Sequence, residues 1–202
     1  MTSGRRHQDH FGRRAKREGH PARSIYKLEE IDARWRVFRV GQRVLDLGCA
    51  PGSWLQYIAQ KISPSGYALG VDLKALSISL PTHVEARVGD VYDLRENLGA
   101  FDVIVSDMAP STMGNHTTDA LRSASLVEHT LDLANKFLKK GGTVIAKNLE
   151  GGETPKILKR MRQDYSKVEL LRPEATRRTS TEIFLIGLGK INDNSLQVPR
   201  ER

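Results

Sequence analysis

The stretch Arg43-Val44-Leu45-Asp46-Leu47-Gly48-Cys49-Ala50-Pro51-Gly52-Ser53-Trp54 decides the fold. Its apolar run closing on Asp46 reads as a buried strand. The turn that follows has Gly48 and Gly52 at its ends and Pro51 inside it, and Trp54, Leu55, Ile58 and Ala59 then fall on one face of a helix over about 53–62. Outward from this unit the pattern repeats. Pro64-Ser65-Gly66 ends the helix, and strands are predicted at 67–72, 83–88 and 101–106, each bounded by Gly, Pro or Asp. A long helix over 120–139 carries Leu126, Leu133 and Phe137 at helical spacing and is expected to stop at Lys139-Lys140-Gly141-Gly142. A strand at 143–147, a basic helix at 154–165 and closing strands at 167–171 and 182–188 complete the series. Strands alternating with helices imply an α/β fold, a mostly parallel seven-stranded sheet with helices on both faces.

Length and composition bound what such a chain can be. At 202 residues with 39% hydrophobic and 28% charged residues, it suits one folded domain rather than two or a disordered chain. No apolar run nears the roughly 20 residues that span a bilayer, and the N-terminal residues lack a secretory hydrophobic segment. The single cysteine, Cys49, can make neither an internal disulfide nor a cysteine-based zinc cluster, and the six histidines have no close metal spacing. The expectation is a cytoplasmic protein without a metal, probed further by its charge. The formal net charge is +8, and residues 1–43 hold 12 Lys/Arg against 5 Asp/Glu, whereas residues 44–202 hold 20 against 19. A second basic excess lies between Lys156 and Arg178. Two basic patches flanking a neutral middle suit a polyanion, and RNA or DNA phosphate is the commonest such partner. Residues 1–23 read as a flexible basic arm, 24–190 as the folded domain and 191–202 as a polar tail.

The turn after the first strand points to a nucleotide-like cofactor. Its Gly48-x-x-x-Gly52 spacing is neither the G-x-G-x-x-G of a dinucleotide site nor a Walker loop, and no lysine stands ready to cradle phosphates. Four successive strands end in or just before an acid: Asp46, Asp72, Asp90 and Asp107. At the carboxyl edge of a sheet, such acids repel a pyrophosphate and attract a cation, while Asp72 can accept ribose hydroxyls and Asp90 the adenine amino group. S-adenosylmethionine, a nucleoside with a sulfonium, fits, with Asp46, Gly48, Pro51, Gly52, Trp54, Asp72, Asp90 and Asp107 as its binding set. The competing role for each acid is a helix cap or turn.

Five ordered segments carry a resemblance. Arg23-Ser24-Ile25-Tyr26-Lys27-Leu28, Asp46 to Trp54, Ser106-Asp107-Met108-Ala109-Pro110, Ile145-Ala146-Lys147 and Ser180-Thr181-Glu182-Ile183-Phe184 together resemble the FtsJ/RrmJ family of ribose 2′-O-methyltransferases, over about residues 12–190. The resemblance implies a Rossmann-like class I methyltransferase fold. It also implies S-adenosylmethionine as cofactor and a catalytic tetrad falling on Lys27, Asp107, Lys147 and Glu182. Its implied substrate is a uridine of large-subunit, 23S-type ribosomal RNA within a particle, met by a monomeric enzyme. Transfer RNA and a non-catalytic RNA-binding assembly role are the alternatives. The chain departs from the family after Lys147, where Asn148-Leu149-Glu150-Gly151-Gly152 replaces an aromatic residue commonly followed by Gln-Gly. A lysine serves as base for a ribose hydroxyl only when neutral, which needs burial or a neighbouring cation to lower its pKa from about 10.4. Asp107 and Glu182 would orient the two ammonium groups. Cys49 without a Pro-Cys motif does not fit cytosine-C5 methylation, and Asp107-Met108-Ala109-Pro110 lacks the Pro-Pro-aromatic run of amine methylases.

Overall fold

A computed structural model describes residues 3–94, 98–111, 113–177 and 179–192, with side chains from residue 10 onward. Helix α1 (Ser3–Arg17) and helix α2 (Ile25–Trp35) precede strand β1 (Arg43–Leu47), helix α3 (Ser53–Ile62), strand β2 (Tyr67–Asp72), strand β3 (Val84–Val88) and strand β4 (Phe101–Ser106). Helix α4 (His116–Phe137), strand β5 (Leu138–Leu149), helix α5 (Thr154–Asp164), strand β6 (Tyr165–Leu171) and strand β7 (Glu182–Lys190) follow. The strands form one sheet in the order β3-β2-β1-β4-β5-β7-β6. The β1, β2, β3, β4 and β5 pairings are parallel, and β7 runs antiparallel to both β5 and β6. Chain order reverses between β1 and β4, which opens a crevice at the carboxyl ends of these strands.

Alternation along each strand sorts the side chains into two cores. Val44, Val103, Val105, Ile145, Phe184 and Ile186 face α2 and α3, where Leu28, Ile31, Leu55 and Ile58 are buried. Leu45, Ile104, Val144, Ala146 and Leu185 face α4 and α5 on the other side. With both faces covered, the central strands can be apolar throughout, which is why they read so clearly. No described helix is long and apolar enough to cross a membrane.

Three expectations change. The Lys139-Lys140-Gly141-Gly142 segment does not stop a helix; α4 ends at Phe137 and β5 already runs through it. Lys190 explains the abrupt switch. Its buried ammonium donates to the carbonyls of Ala134, Asn135 and Leu138, each at 2.9 Å, and so satisfies the last turn of α4 from the end of β7. Helix α2, unassigned from sequence, ends on Arg36 in the left-handed region, with φ of 50°. The N-terminal arm contains α1, and its second half docks: Ala15 is buried, Phe11 meets the Tyr26 ring at 5.5 Å, and Arg14 lies over that ring at 4.3 Å. Tyr26 donates to Glu18, and burial together with this bond raises its pKa to about 12. Most of the polar tail, from residue 193, lies outside the described residues.

Replacing Lys190 by Met keeps the stem and removes the ammonium from these carbonyls. We expect a loss of about 2–4 kcal/mol, given that charge-assisted bonds contribute roughly 1.5–3 kcal/mol each and do not add fully. Urea unfolding should show a lower midpoint at unchanged slope. A midpoint equal to that of the parent would remove Lys190 as the anchor of the α4–β5 junction.

Candidate active site

The crevice holds a cavity of about 420 Å³ whose walls include Gly48, Ala50, Asp72, Lys74, Asp90, Tyr92, Asp107, Met108 and Leu126. Strand geometry brings these residues together. Gly48 follows β1, Asp72 ends β2, Asp90 follows β3 and Asp107 follows β4, so parallel neighbours present the same end to the same space. Of the expected cofactor residues, Gly48, Asp72, Asp90 and Asp107 line the cavity; Pro51, Gly52 and Trp54 do not. Trp54 is buried, donates its indole N–H to the Ser24 carbonyl at 2.9 Å and lies 5.8 Å from the Phe184 ring. It therefore ties α3 to the start of α2.

The glycines of the turn also serve the protein itself. Gly48 has φ of 79°, and a Cβ there would come within 2.7 Å of the Met108 side chain; at Gly52, φ is 112° and a Cβ would meet Ile78 at 2.6 Å. Asp72 combines both roles weighed for it, since it lines the cavity while accepting from Ala50 N–H and Lys74 N–H, each at 2.9 Å. Asp90 likewise caps the short 3-10 turn Val91–Asp93 by accepting from Tyr92 N–H at 3.0 Å. Each carboxylate still has lone pairs for a ligand. Tyr92 and Met108 were not singled out from sequence. Met108 sits inside a quoted motif without reactive chemistry of its own, and Tyr92 stacks on His129, with 4.0 Å between ring centroids, a long-range contact that no local pattern announces.

Asp46 lies just beneath this lining, fully buried, and neither carboxylate oxygen has a hydrogen-bond partner among the described residues. Burial first, then the nearby charges of Asp107 and Asp72, push its pKa well above the usual carboxylate range. An orphaned acid beside two further carboxylates fits a ligand bearing positive charge or donor groups.

The reactive pairs adjoin the cavity on the α2 side. Lys147 Nζ lies 2.9 Å from Asp107 Oδ1 and also donates to the Asp107 backbone carbonyl. Lys27 Nζ, in the first turn of α2, lies 2.6 Å from Glu182 Oε1. All four side chains are largely buried. Register joins the pairs: Lys147 is opposite Phe184 and Leu149 opposite Glu182 across β5 and β7, and Lys27 Nζ stands 5.8 Å from the Phe184 ring centre. The four expected tetrad residues thus meet on one face at one edge. Asn148 points to the other face, buried, and donates to Thr154, so the departure after Lys147 begins away from the reactive edge.

A doubly wound sheet with the antiparallel β7 inserted beside β5, and an acid-rimmed crevice next to two lysine–carboxylate pairs, define a Rossmann-like methyltransferase domain. The chain belongs to the FtsJ-like methyltransferase family, whose model matches residues 21–190. The ribosomal RNA large subunit methyltransferase E of Syntrophobacter fumaroxidans is 42% identical over 187 residues, covering 90% of this chain and 95% of its own. The proteins of that name from Desulforapulum autotrophicum and Bdellovibrio bacteriovorus are each 41% identical, covering 90% and 91% of this chain and 92% and 97% of theirs. A Plasmodium falciparum crystal structure assigned as a ribosomal RNA methyltransferase aligns with a TM-score of 0.75 and 24% identity, over 86% of this chain and 100% of its own, a likeness of fold.

Asp46 sets up a prediction with a definite sign. Its raised pKa means that the folded state keeps a proton which the unfolded chain releases near pH 4. Below that pH the group costs no stability; above it the cost grows until the folded pKa is passed. The melting temperature of Asp46→Asn relative to the parent should therefore rise as pH increases from about 4, in protein free of small molecules. Affinity for S-adenosylmethionine should fall in the same variant. A difference in melting temperature that is flat with pH would mean that Asp46 carries no such cost.

Proposed function

We propose that this chain transfers the methyl group of S-adenosylmethionine to a ribose 2′-hydroxyl of RNA, the substrate being a uridine of large-subunit ribosomal RNA. The observation that carries this reading is the pairing of Lys147 with Asp107 at 2.9 Å and of Lys27 with Glu182 at 2.6 Å, side by side at the edge of the acidic crevice. The names of the bacterial relatives support the RNA and the subunit. S-adenosylmethionine, when bound, supplies a methyl group on a positively charged sulfur. Asp72 and Asp90 would take its nucleoside, and Asp46, with both oxygens unpartnered by protein groups, its cationic or amino portion.

The chain's own residues account for the hydroxyl. Lys147 Nζ donates to the Asp107 backbone carbonyl and stands 2.9 Å from its carboxylate as an ion pair, without a hydrogen bond to Oδ1. The remaining positions on Nζ can meet the ribose oxygen. A neutral Lys147 can donate to the Asp107 carbonyl and keep a lone pair for the departing proton, whereas a protonated Lys147 can only hold the oxygen. Lys27, fixed by Glu182, places a second ammonium at the same edge that can hold the ribose oxygen. The new C–O bond forms as the C–S bond breaks, so alignment of the hydroxyl with the methyl group is the main demand on the protein.

Incubation with labelled S-adenosylmethionine and separate pools of ribosomal subunits, free ribosomal RNA and transfer RNA, followed by nuclease mapping, tests the reading. Label on a ribose of large-subunit RNA is expected. Label on a base overturns the chemistry, and label confined to transfer RNA overturns the substrate.

For the lysine, Lys147→Ala should lower the single-turnover rate by roughly 10²-fold or more with little change in binding of cofactor or RNA. Lys147→Arg should be equally slow, because arginine retains charge and reach but does not give up its proton. Near-parental rates for the Arg variant would refute Lys147 as the base.

A further inference from the structure

The Lys139-Lys140-Gly141-Gly142 segment, which ends no helix, shapes the amino edge of the sheet, opposite the reactive edge. Phe101 pairs with Leu138 and Val103 with Thr143, so the single residue Asp102 of β4 faces the whole run Lys139 to Gly142 on β5. The surplus backbone bulges outward, with Gly141 at φ of 78° and Lys140 exposed. Beside the bulge lies a cavity of about 420 Å³ whose walls include Trp35, Arg36, Arg39, Asp102, Lys139 and Lys140. The end of α2, the connection to β1 and the bulge thus each bring cations to one hollow.

Ion pairing accounts for only one of these cations. Lys139 Nζ holds Asp102 Oδ1 at 2.7 Å, and the other oxygen of that carboxylate accepts from Arg43 N–H at 2.8 Å, so the acid in the wall is fully engaged. Neighbouring carboxylates are occupied as well: Asp32 accepts from Phe38 N–H and the Tyr57 hydroxyl and pairs with Lys61, and Glu30 holds Arg34. Glu29 borders an adjoining hollow with Arg36 and Arg39 and pairs with neither among the described residues. The side chains of Arg36, Arg39 and Lys140 are exposed and have no ion-pair partner among the described residues. Arg36 also occupies the left-handed position that closes α2, with φ of 50°, where glycine would avoid a steric penalty. A guanidinium is kept there against backbone strain, with no side-chain bond among the described residues to offset it.

Strands β1 and β4, five and six residues long, set this hollow roughly 20 Å from the reactive edge. A folded RNA larger than the domain can lay one segment at the reactive edge and another across the hollow, and its phosphates are what unpaired arginine and lysine side chains recognise. We propose that Arg36, Arg39 and Lys140 form a second RNA-contact surface at the amino edge of the sheet, which holds the phosphate backbone of a segment remote from the methylated nucleotide. The inference rests on the RNA reading above and extends it. The contact supplies affinity and orientation, takes no part in the chemistry, and favours a folded RNA over a short oligonucleotide.

Affinity is measured for the parent and for the Arg36→Gly/Arg39→Gln/Lys140→Gln variant, with free large-subunit ribosomal RNA and assembled large subunits as separate probes. At about 0.15 M salt, where the Debye length is about 8 Å and charges count mainly where they touch the RNA, the variant should bind free RNA about tenfold or more weakly. Its plot of log affinity against log salt should be shallower by about two to three in slope. S-adenosylmethionine affinity and the methylation rate at saturating RNA should stay at the parental level, since no changed residue lines the cofactor cavity or belongs to the lysine–carboxylate pairs. Glycine suits the left-handed position, so Arg36→Gly alone should melt no lower than the parent. Arg39→Gln/Lys140→Gln, which leaves that backbone unchanged, should flatten the slope by itself. Equal affinity and slope in the parent and the triple variant overturn the surface. A loss confined to assembled subunits overturns it too, in favour of an acidic protein partner. These readouts do not depend on where the methyl group lands, so label on a base would remove the ribose reading and leave this surface standing.

Discussion

Side chains alternate along a strand, and that constraint fixes which residues can meet at the carboxyl edge of this sheet. Val44, Val105, Ile145 and Phe184 share the face that α2 and α3 cover. Two residues further along each strand, in its own direction or its partner's, the same face must carry Asp46, Asp107, Lys147 and Glu182. A shift of one residue in any of the pairings would send one of them to the α4 side. The buried pairing of Ile145 with Ile186 and Val105 therefore holds the chemistry in register, and the α4–β5 junction anchored by Lys190 protects that register from the far end.

The edge so assembled is electrostatically divided. On the β1–β2 side, carboxylates dominate, to the extent that Asp46 is pushed toward its neutral form. On the β5–β7 side, Lys147 and Lys27 are each matched to one acid. Asp107 belongs to both halves: it lines the cavity, raises the pKa of Asp46 and pairs with Lys147. Cationic ligand groups in the first half would relieve the charge that its carboxylates accumulate. The cost is stability in their absence, a common feature of sites organised for charge in the reacting state.

Much of this was legible because the central strands are buried on both faces. Helix 53–62 and the strands at 67–72 and 101–106 have the bounds expected from the apolar runs and their Gly, Pro and Asp neighbours. The tetrad positions came from motif resemblance, and the geometry gathers all four. What sequence concealed was long-range. The double glycine at 141–142 resembles a helix stop, but the termination of α4 is supplied by Lys190, some fifty residues on. Phe11 and Ala15 make too sparse a stripe to mark a docked helix among so many charges, yet Tyr26 gives them a surface. Trp54 lies next to the glycine turn in sequence, and its hydrogen bond to the Ser24 carbonyl is a further long-range contact that no local pattern announces.

That contact completes a mechanical chain. Trp54 fixes the start of α2 from α3, Glu30 on α2 holds the β6–β7 loop through Glu174 N–H, and Tyr26 in the same helix receives Glu18 and Arg14 from the end of α1. Helix α2 thus places Lys27 against Glu182 while it is itself braced on three sides. The exposed basic residues Arg13, Lys16 and Arg17 are carried by a helix whose docking partner is two positions from Lys27 or nearer. The docked end of α1, the β6–β7 loop and the Lys27–Glu182 pair are consequently held through one rigid element, so that a change at any of its three braces reaches Lys27.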